Sequence, residues 1–342
     1  MHRVTAHRVV QWATGNIGTR SLRAIIEHPD LELVGVHVHS PDKVGRDAGE
    51  LCGLAPTGVT ATDDVDEIAA LAADCVLYMP QQPDVDVLAR LLGSGTNVVT
   101  TVGLGAVRNE TIERACAEGG TSIHATGSSP GFISEAVPIV LTSIQRRLDH
   151  LVIDEFADLS KRNSPELLFD LMGFGRDPST FADSRRWSHG ATSFGPSLEV
   201  TAEALGLPLD SVEGTGDVAV AARTTTIAAG TIEAGTVAAQ RMIVHGLRDG
   251  TPLLTFRANW YCTTDLDPAW ELGETGWRVK VEGDAPLDVH LRFDIPMERM
   301  GETTPGYTAH RAVNAVPLVC AAEPGIRTTA DLPQVIARLG RR

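Results

Sequence analysis

The sequence is poor in the residues that build metal or disulfide scaffolds. Only five cysteines, at 52, 75, 116, 262 and 320, are scattered over 342 residues, and none belongs to a Cys-x-x-Cys pair. This usage argues against a disulfide framework or a structural zinc site and fits reduced thiols in a cytoplasmic protein. No histidines stand at His-Glu-x-x-His or comparable spacing, so no catalytic metal is expected. No run approaches the roughly 18 apolar residues of a membrane span, and no apolar stretch near the N-terminus reads as a signal peptide. A basic surplus is missing too. Lys and Arg total 29 against 44 Asp and Glu, a net charge of −15, and no basic patch is present to track a nucleic-acid backbone.

What remains is an ordinary globular balance, 43% hydrophobic and 21% charged, in a chain long enough for two domains. Strand and helix alternate through the first part. "RVVQWA" (8–13) reads as a buried strand, 16–28 as a helix closed by Pro29, and "LELVGVHVHS" (31–40) as a second strand. "ADCVLYMP" (73–80), "TNVVTT" (96–101) and "TSIHATG" (121–127) add strands, with helices over 83–92 and 110–120 between them. That alternation marks βαβ units and a parallel sheet.

The pattern changes near residue 150. A half-exposed strand (150–160) is followed by a helical region to about Leu207, then by antiparallel strands between about 210 and 295. Residues 306–326 read as a helix with a glycine stop. The expected fold is α/β, with a Rossmann doubly wound parallel sheet over 1–132 that binds NAD(P). A second α+β domain over 133–304 carries a mixed or antiparallel sheet for substrate binding and dimerisation. A C-terminal helix over 305–342 returns to the first domain.

"WATGNIG" carries the first chemistry. A dinucleotide turn must bend tightly after a strand, admit pyrophosphate against its backbone and seat a helix close to the strand. Gly15 and Gly18 hold the second and third glycine positions, and Ala13 replaces the first at the cost of a methyl group. Thr14, Gly15, Asn16, Ile17 and Gly18 therefore form the expected phosphate cradle, at a helix N-terminus. At the end of the second strand, where an NAD site usually has Asp or Glu, stand His39 and Ser40, with Lys43 and Arg46 behind them. A hydroxyl and cations suit a 2′-phosphate, so NADP is expected, with NAD use possible. Met79 and Thr101 follow later strands, where α/β sheets bind ligands, although Met79 equally suits the core. Gly127, in "ATGSSPGF", brings backbone towards the nicotinamide. Phe132, Phe169, Met172 and Phe174 suit an apolar substrate pocket or core packing.

"WATGNIG", "LELVGVHVHSPDKVGRDAGEL", "SPELLFDLMGFG", "RAVNAVP" and "PGI" together resemble the dihydrodipicolinate-reductase-like group that includes 2,4-diaminopentanoate dehydrogenase and the native amine dehydrogenases. The resemblance spans nearly the whole chain. It implies a Rossmann domain, a second domain whose mixed sheet forms a homodimer interface, and NAD(P)-linked interconversion of an amine and a carbonyl compound. Asn314 is the motif's candidate for the nicotinamide amide, and His310, one turn earlier, is a candidate proton donor.

Two departures follow. True dihydrodipicolinate reductases carry a histidine pair and a lysine where this chain has "DEFADLSK" (154–161), which keeps only Lys161. The amine dehydrogenases have a glutamate just after the strand corresponding to "NVVTT", but "VGLGAVRN" (102–109) holds no carboxylate, and Glu110 suits a helix start. Asp154, Phe156 and Asp158 share a strand face, and Asp158 is the substitute candidate, with a surface or ion-paired acid as the alternative.

Overall fold

The computed structural model describes residues 6–182 and 185–339. In chain order come β1 (His7–Trp12), α1 (Asn16–Glu27), β2 (Leu31–His37), α2 (Ala48–Leu51), β3 (Ala61–Thr62), α3 (Val65–Ala70), β4 (Cys75–Tyr78), α4 (Val85–Gly93), β5 (Asn97–Thr100), α5 (Leu104–Val107), α6 (Glu110–Gly119) and β6 (Ser122–Ala125). Next are α7 (Val137–Thr142), β7 (Leu148–Asp158), α8 (Arg185–Ala204), β8 (Ser211–Ala221), β9 (Thr225–Ile227), β10 (Gly230–Ile232), β11 (Val237–Arg248), β12 (Thr251–Tyr261), β13 (Leu266–Asp267), β14 (Gly276–Gly283) and β15 (Leu287–Arg292). Then α9 (Met300–Cys320) and β16 (Gly325–Arg327) follow. The described residues up to Phe132 and from Glu302 onward form one compact unit, and Ile133–Gly301 forms another.

The first unit is a seven-stranded sheet in the order β3-β2-β1-β4-β5-β6-β16, with every pairing parallel. The strand order reverses between β1 and β4, where doubly wound sheets open their ligand crevice. Helices supply the apolar cover that parallel strands require. Val9, Leu77 and Val99 of the sheet pack with Ile25 of α1 and with Ala312, Val313 and Val316 of α9. Each such large aliphatic side chain contributes about 1.5–3 kcal/mol by leaving water. The α1 face is set by sequence, since Gly18, Ser21, Leu22 and Ile25 recur at helical spacing and are its buried positions.

Three local expectations differ from what is observed. The second strand ends at His37, because Pro41–Lys43 form a 3-10 turn. The region from 165 to 207 is broken, with a π-helical turn at Glu166–Met172 and a 3-10 turn at Pro178–Phe181 ahead of α8. Gly325 does not stop a helix. It opens β16, a three-residue edge strand on β6, while α9 ends at Cys320.

The second unit holds a mixed sheet in the order β13-β8-β11-β12-β7-β14-β15. Its pairings are antiparallel except β7 with β12, which run parallel. This is a mixed sheet, as expected, and the strands between 210 and 295 pair with one another antiparallel. On one face α8 packs through Phe194, whose ring stacks on Phe256 at 4.1 Å. Alternation along the strands turns Asp154, Arg241, Arg257 and Arg278 to the other face. Among the described residues, no helix is long and apolar enough to cross a membrane.

Candidate functional site

The turn between β1 and α1 is built by close contact. Ala13 sits at φ 69°, in the left-handed region that the missing glycine would occupy without strain. A Cβ on Gly18 would lie 2.1 Å from the Ala13 carbonyl oxygen, so the third glycine is required for helix α1 to approach β1. Gln11, fully buried beneath the turn, donates from Nε2 to the carbonyl oxygens of Trp12 (3.1 Å) and Ala13 (2.9 Å).

Gly15 behaves differently. A Cβ there would meet nothing within 4 Å, so nothing in the protein itself demands glycine. Gly15 caps α1 without a side-chain hydrogen bond, and the first turn of α1 holds no acid. The first N–H groups of a twelve-residue helix thus face the space beside Gly15. An open cradle under an uncapped helix fits the pyrophosphate of a nicotinamide dinucleotide.

Other candidates lie along the same carboxyl edge of the sheet. Lys43 is half-buried, and its Nζ donates to the carbonyl (2.9 Å) and Oγ1 (3.2 Å) of Thr14, which ties the post-β2 turn to the glycine turn. Thr19 Oγ1 donates to the same Thr14 carbonyl. His39 and Ser40 are exposed. Behind them, His37 stacks on Trp12 at 3.7 Å, and burial pushes its pKa down to about 4, with the neighbouring His39 adding to the effect. Met79 is 6% exposed and belongs to the core, with Val99 and Val313, so core packing accounts for it. Thr101 is half-buried after β5, and Gly127 is buried, its position closed by Pro130 and Thr308. Thr308 of α9 hydrogen-bonds Ser128 (Oγ–Oγ 2.7 Å). One turn along α9, His310 is exposed and Asn314 half-buried. Phe132 is half-buried at the end of this segment.

Gly127–Gly131 also has the Gly-x-Ser-x-Gly spacing of a hydrolase elbow. The Ser129 hydroxyl is buried and has no hydrogen-bond partner among the described residues, so no base among them activates it.

In the second unit, Asp158 ends β7. Its Oδ1 accepts from the Ser160 N–H (2.8 Å), and no Lys or Arg pairs with it among the described residues. It lines a cavity of about 410 Å³ with Tyr261, Glu274 and Met297. Burial raises the Tyr261 phenol to about 12, and Asp158 adds to the rise. Phe169 and Met172 are half-buried on the π-helical turn, whereas Phe174 is 1% exposed and forms core. Sequence reasoning missed Gln11 and the Trp12–His37 stack. A glutamine and two rings in otherwise aliphatic strands were the available signal.

A parallel sheet in this order, with a glycine turn at its reversal point, defines a Rossmann fold of the dinucleotide-binding class. Comparison with known proteins narrows it. Residues 9–126 match the model of the dihydrodipicolinate reductase N-terminus, and 132–341 that of the 2,4-diaminopentanoate dehydrogenase C-terminal domain. An amine dehydrogenase of Streptomyces virginiae is 31% identical over 97% of this chain and 98% of its own. A 4-hydroxy-tetrahydrodipicolinate reductase of Synechocystis sp. is 39% identical, but over only 19% of this chain and 23% of its own. The solved amine dehydrogenase of Mycobacterium smegmatis covers 99% of both chains at TM-score 0.75 and 21% identity. The chain belongs to the 2,4-diaminopentanoate dehydrogenase and amine dehydrogenase family, and is an NAD(P)-dependent oxidoreductase.

Proposed function

We propose that this enzyme interconverts a small, mainly apolar amine and its ketone, with NADP as the preferred coenzyme. The turn from Ala13 to Gly18 carries this reading, since its open Gly15 position and uncapped helix suit a pyrophosphate. The full-length likeness to an amine dehydrogenase supplies the substrate class.

The coenzyme, when bound, exchanges hydride with the substrate carbon, and the chain supplies placement and charge. Thr14 to Gly18 hold the pyrophosphate through backbone N–H groups. His39, Ser40 and Lys43 receive the 2′-phosphate. Thr101 and Gly127 bring backbone towards the nicotinamide, and Asn314 hydrogen-bonds its amide. In the second unit Phe169 and Met172 offer the substrate apolar wall, and in the first unit Phe132 is a further apolar candidate; Phe174 forms core. Asp158, with no cationic partner among the described residues, stabilises the positive charge of an iminium, and His310 exchanges a proton with solvent. The enzyme works as a cytoplasmic homodimer, joined through its second domain.

A second reading rests on one observation. The segment after β5 runs into α5 and holds no carboxylate before Glu110. Without that acid the same scaffold suits a dehydrogenase of C–OH groups. Following NADPH oxidation with a panel of ketones, with and without ammonium, separates the two. Ammonium-dependent oxidation is expected, and ammonium-independent oxidation sinks the amine assignment. Tight NADPH binding without turnover across the panel makes the protein a sensor.

A further inference from the structure

Arg20 is a cation held at the N-terminal end of α1 with no acid to balance it. It stands four residues after Asn16, so its side chain reaches back over the first turn of the helix. Its Nη1 donates to the Asn16 carbonyl oxygen at 2.7 Å and to Asn16 Oδ1 at 2.6 Å. Its Nε and Nη2 both donate to the Glu302 carbonyl oxygen, at 3.0 and 2.7 Å. Glu302 lies in the opening turn of α9 and is the first residue of the first unit after the chain returns from the second.

One Nε, two Nη1 and one Nη2 donors are thus committed, of the five that a guanidinium carries. Every acceptor is a neutral oxygen, and no carboxylate pairs with Arg20 among the described residues. The helix dipole disfavours a cation at this end, and the first turn of α1 has no acid to offset it. An anion bound there removes that cost, and the pyrophosphate assigned to the turn is such an anion.

The same clasp orients Asn16. Arginine offers donors only, so the Asn16 amide must present Oδ1 to it. Nδ2 is thereby turned away from Arg20, and its two hydrogens meet no partner among the described residues. Asn16 is exposed and adjoins the open Gly15 position, so these donors stand at the mouth of the cradle.

We propose that Arg20 is the positioning residue of the pyrophosphate cradle. It fixes Asn16 so that Nδ2 donates to the phosphate, and it sets its own charge behind that contact. The proposal rests on the coenzyme reading and adds the side chains by which α1 recognises the bridge.

Fluorescence titration of the full chain with NADPH and with NADH, each at low and high salt, tests it. The pyrophosphate is common to both coenzymes, so Arg20→Met is expected to weaken both by the same factor, at least about tenfold. The variant is also expected to flatten the rise of Kd with salt, because a screened charge pair is gone. Arg20→Lys keeps the charge but not the fork, and is expected to restore the salt dependence and part of the affinity. Asn16→Ala is expected to weaken both coenzymes at least about threefold and to keep the parent's salt dependence. Combined with Arg20→Met it is expected to add little, since Asn16 has already lost its orientation. Should Arg20→Met fail to fold, Arg20→Gln carries the same test. A merely structural Arg20 would lower the urea midpoint and leave the salt dependence of binding as in the parent. Unchanged affinity or unchanged salt dependence in Arg20→Met overturns the proposal and leaves the coenzyme reading intact. So do losses that multiply in the double variant, or a loss confined to NADPH. A parent that binds neither coenzyme overturns both.

Discussion

A methyl group on Gly18 would lie 2.1 Å from the Ala13 carbonyl oxygen, so α1 and β1 meet backbone to backbone. Gly18→Ala therefore has no flexible side chain to push aside and must displace the helix. A loss of about 1–3 kcal/mol is expected, read from urea unfolding. NADPH binding, read by fluorescence titration, is expected to fall with it. Ala13→Gly acts in the other direction. It removes the left-handed strain at φ 69° and is expected to stabilise by about 1 kcal/mol or less, since glycine's chain entropy offsets part of the gain.

Gly15 separates binding from stability. Its added Cβ meets no protein atom, so Gly15→Ala is expected to leave the unfolding midpoint within about 0.5 kcal/mol of the parent. The methyl group would occupy the space assigned to pyrophosphate, and coenzyme affinity is expected to drop at least about tenfold. Unchanged affinity in this variant rules the cradle out.

Coenzyme choice turns on the exposed Ser40 beyond β2. A carboxylate there would face the 2′-phosphate. At an effective dielectric of about 20, like charges some 4 Å apart repel by about 4 kcal/mol. Ser40→Asp is therefore expected to weaken NADPH at least about tenfold while sparing NADH. Parallel titrations of both coenzymes check it, and an equal loss for both places the 2′-phosphate elsewhere.

His124 makes the first unit acid-sensitive. It is 1% exposed, its Nδ1 donates to the Arg327 carbonyl at 2.8 Å, and Nε2 has no partner. Burial lowers its pKa from 6.5 to about 4. The unfolded chain thus binds this proton first as pH falls, so the stabilisation is present above about 6.5 and is lost on the way down to about 4. The full loss is about 3–4 kcal/mol, from the fall between 6.5 and about 4 at about 1.4 kcal/mol per pH unit. His124→Asn keeps a donor for Arg327 and removes the titration. Its urea midpoint is expected to vary less than the parent's between pH 7 and pH 5, and parallel curves contradict the assignment.

Local chemistry made much of this legible in sequence. The glycine turn announced itself because strand, Gly15, Gly18 and helix are contiguous, and aliphatic runs marked β4 and β5. The closing strand β16 was invisible, because three residues gain their place only by pairing with β6, some 200 residues away in sequence. Parallel pairing of β7 with β12 was hidden for the same reason, since alternation looks alike in either direction. Met79 and Phe174 show the limit at the site. Their residue types suit a pocket as well as a core, and only packing assigns both to the interior.

The most direct test runs the proposed reaction towards the ketone. Each amine oxidised consumes one NADP⁺ and one water and yields one ketone, one ammonium and one NADPH. Following absorbance of the reduced coenzyme beside an ammonium assay, over a panel of small apolar amines and the matching alcohols, reads that balance. Equal NADPH and ammonium from amines, with alcohols inert, is the predicted result. NADPH formed from alcohols but not from amines contradicts it.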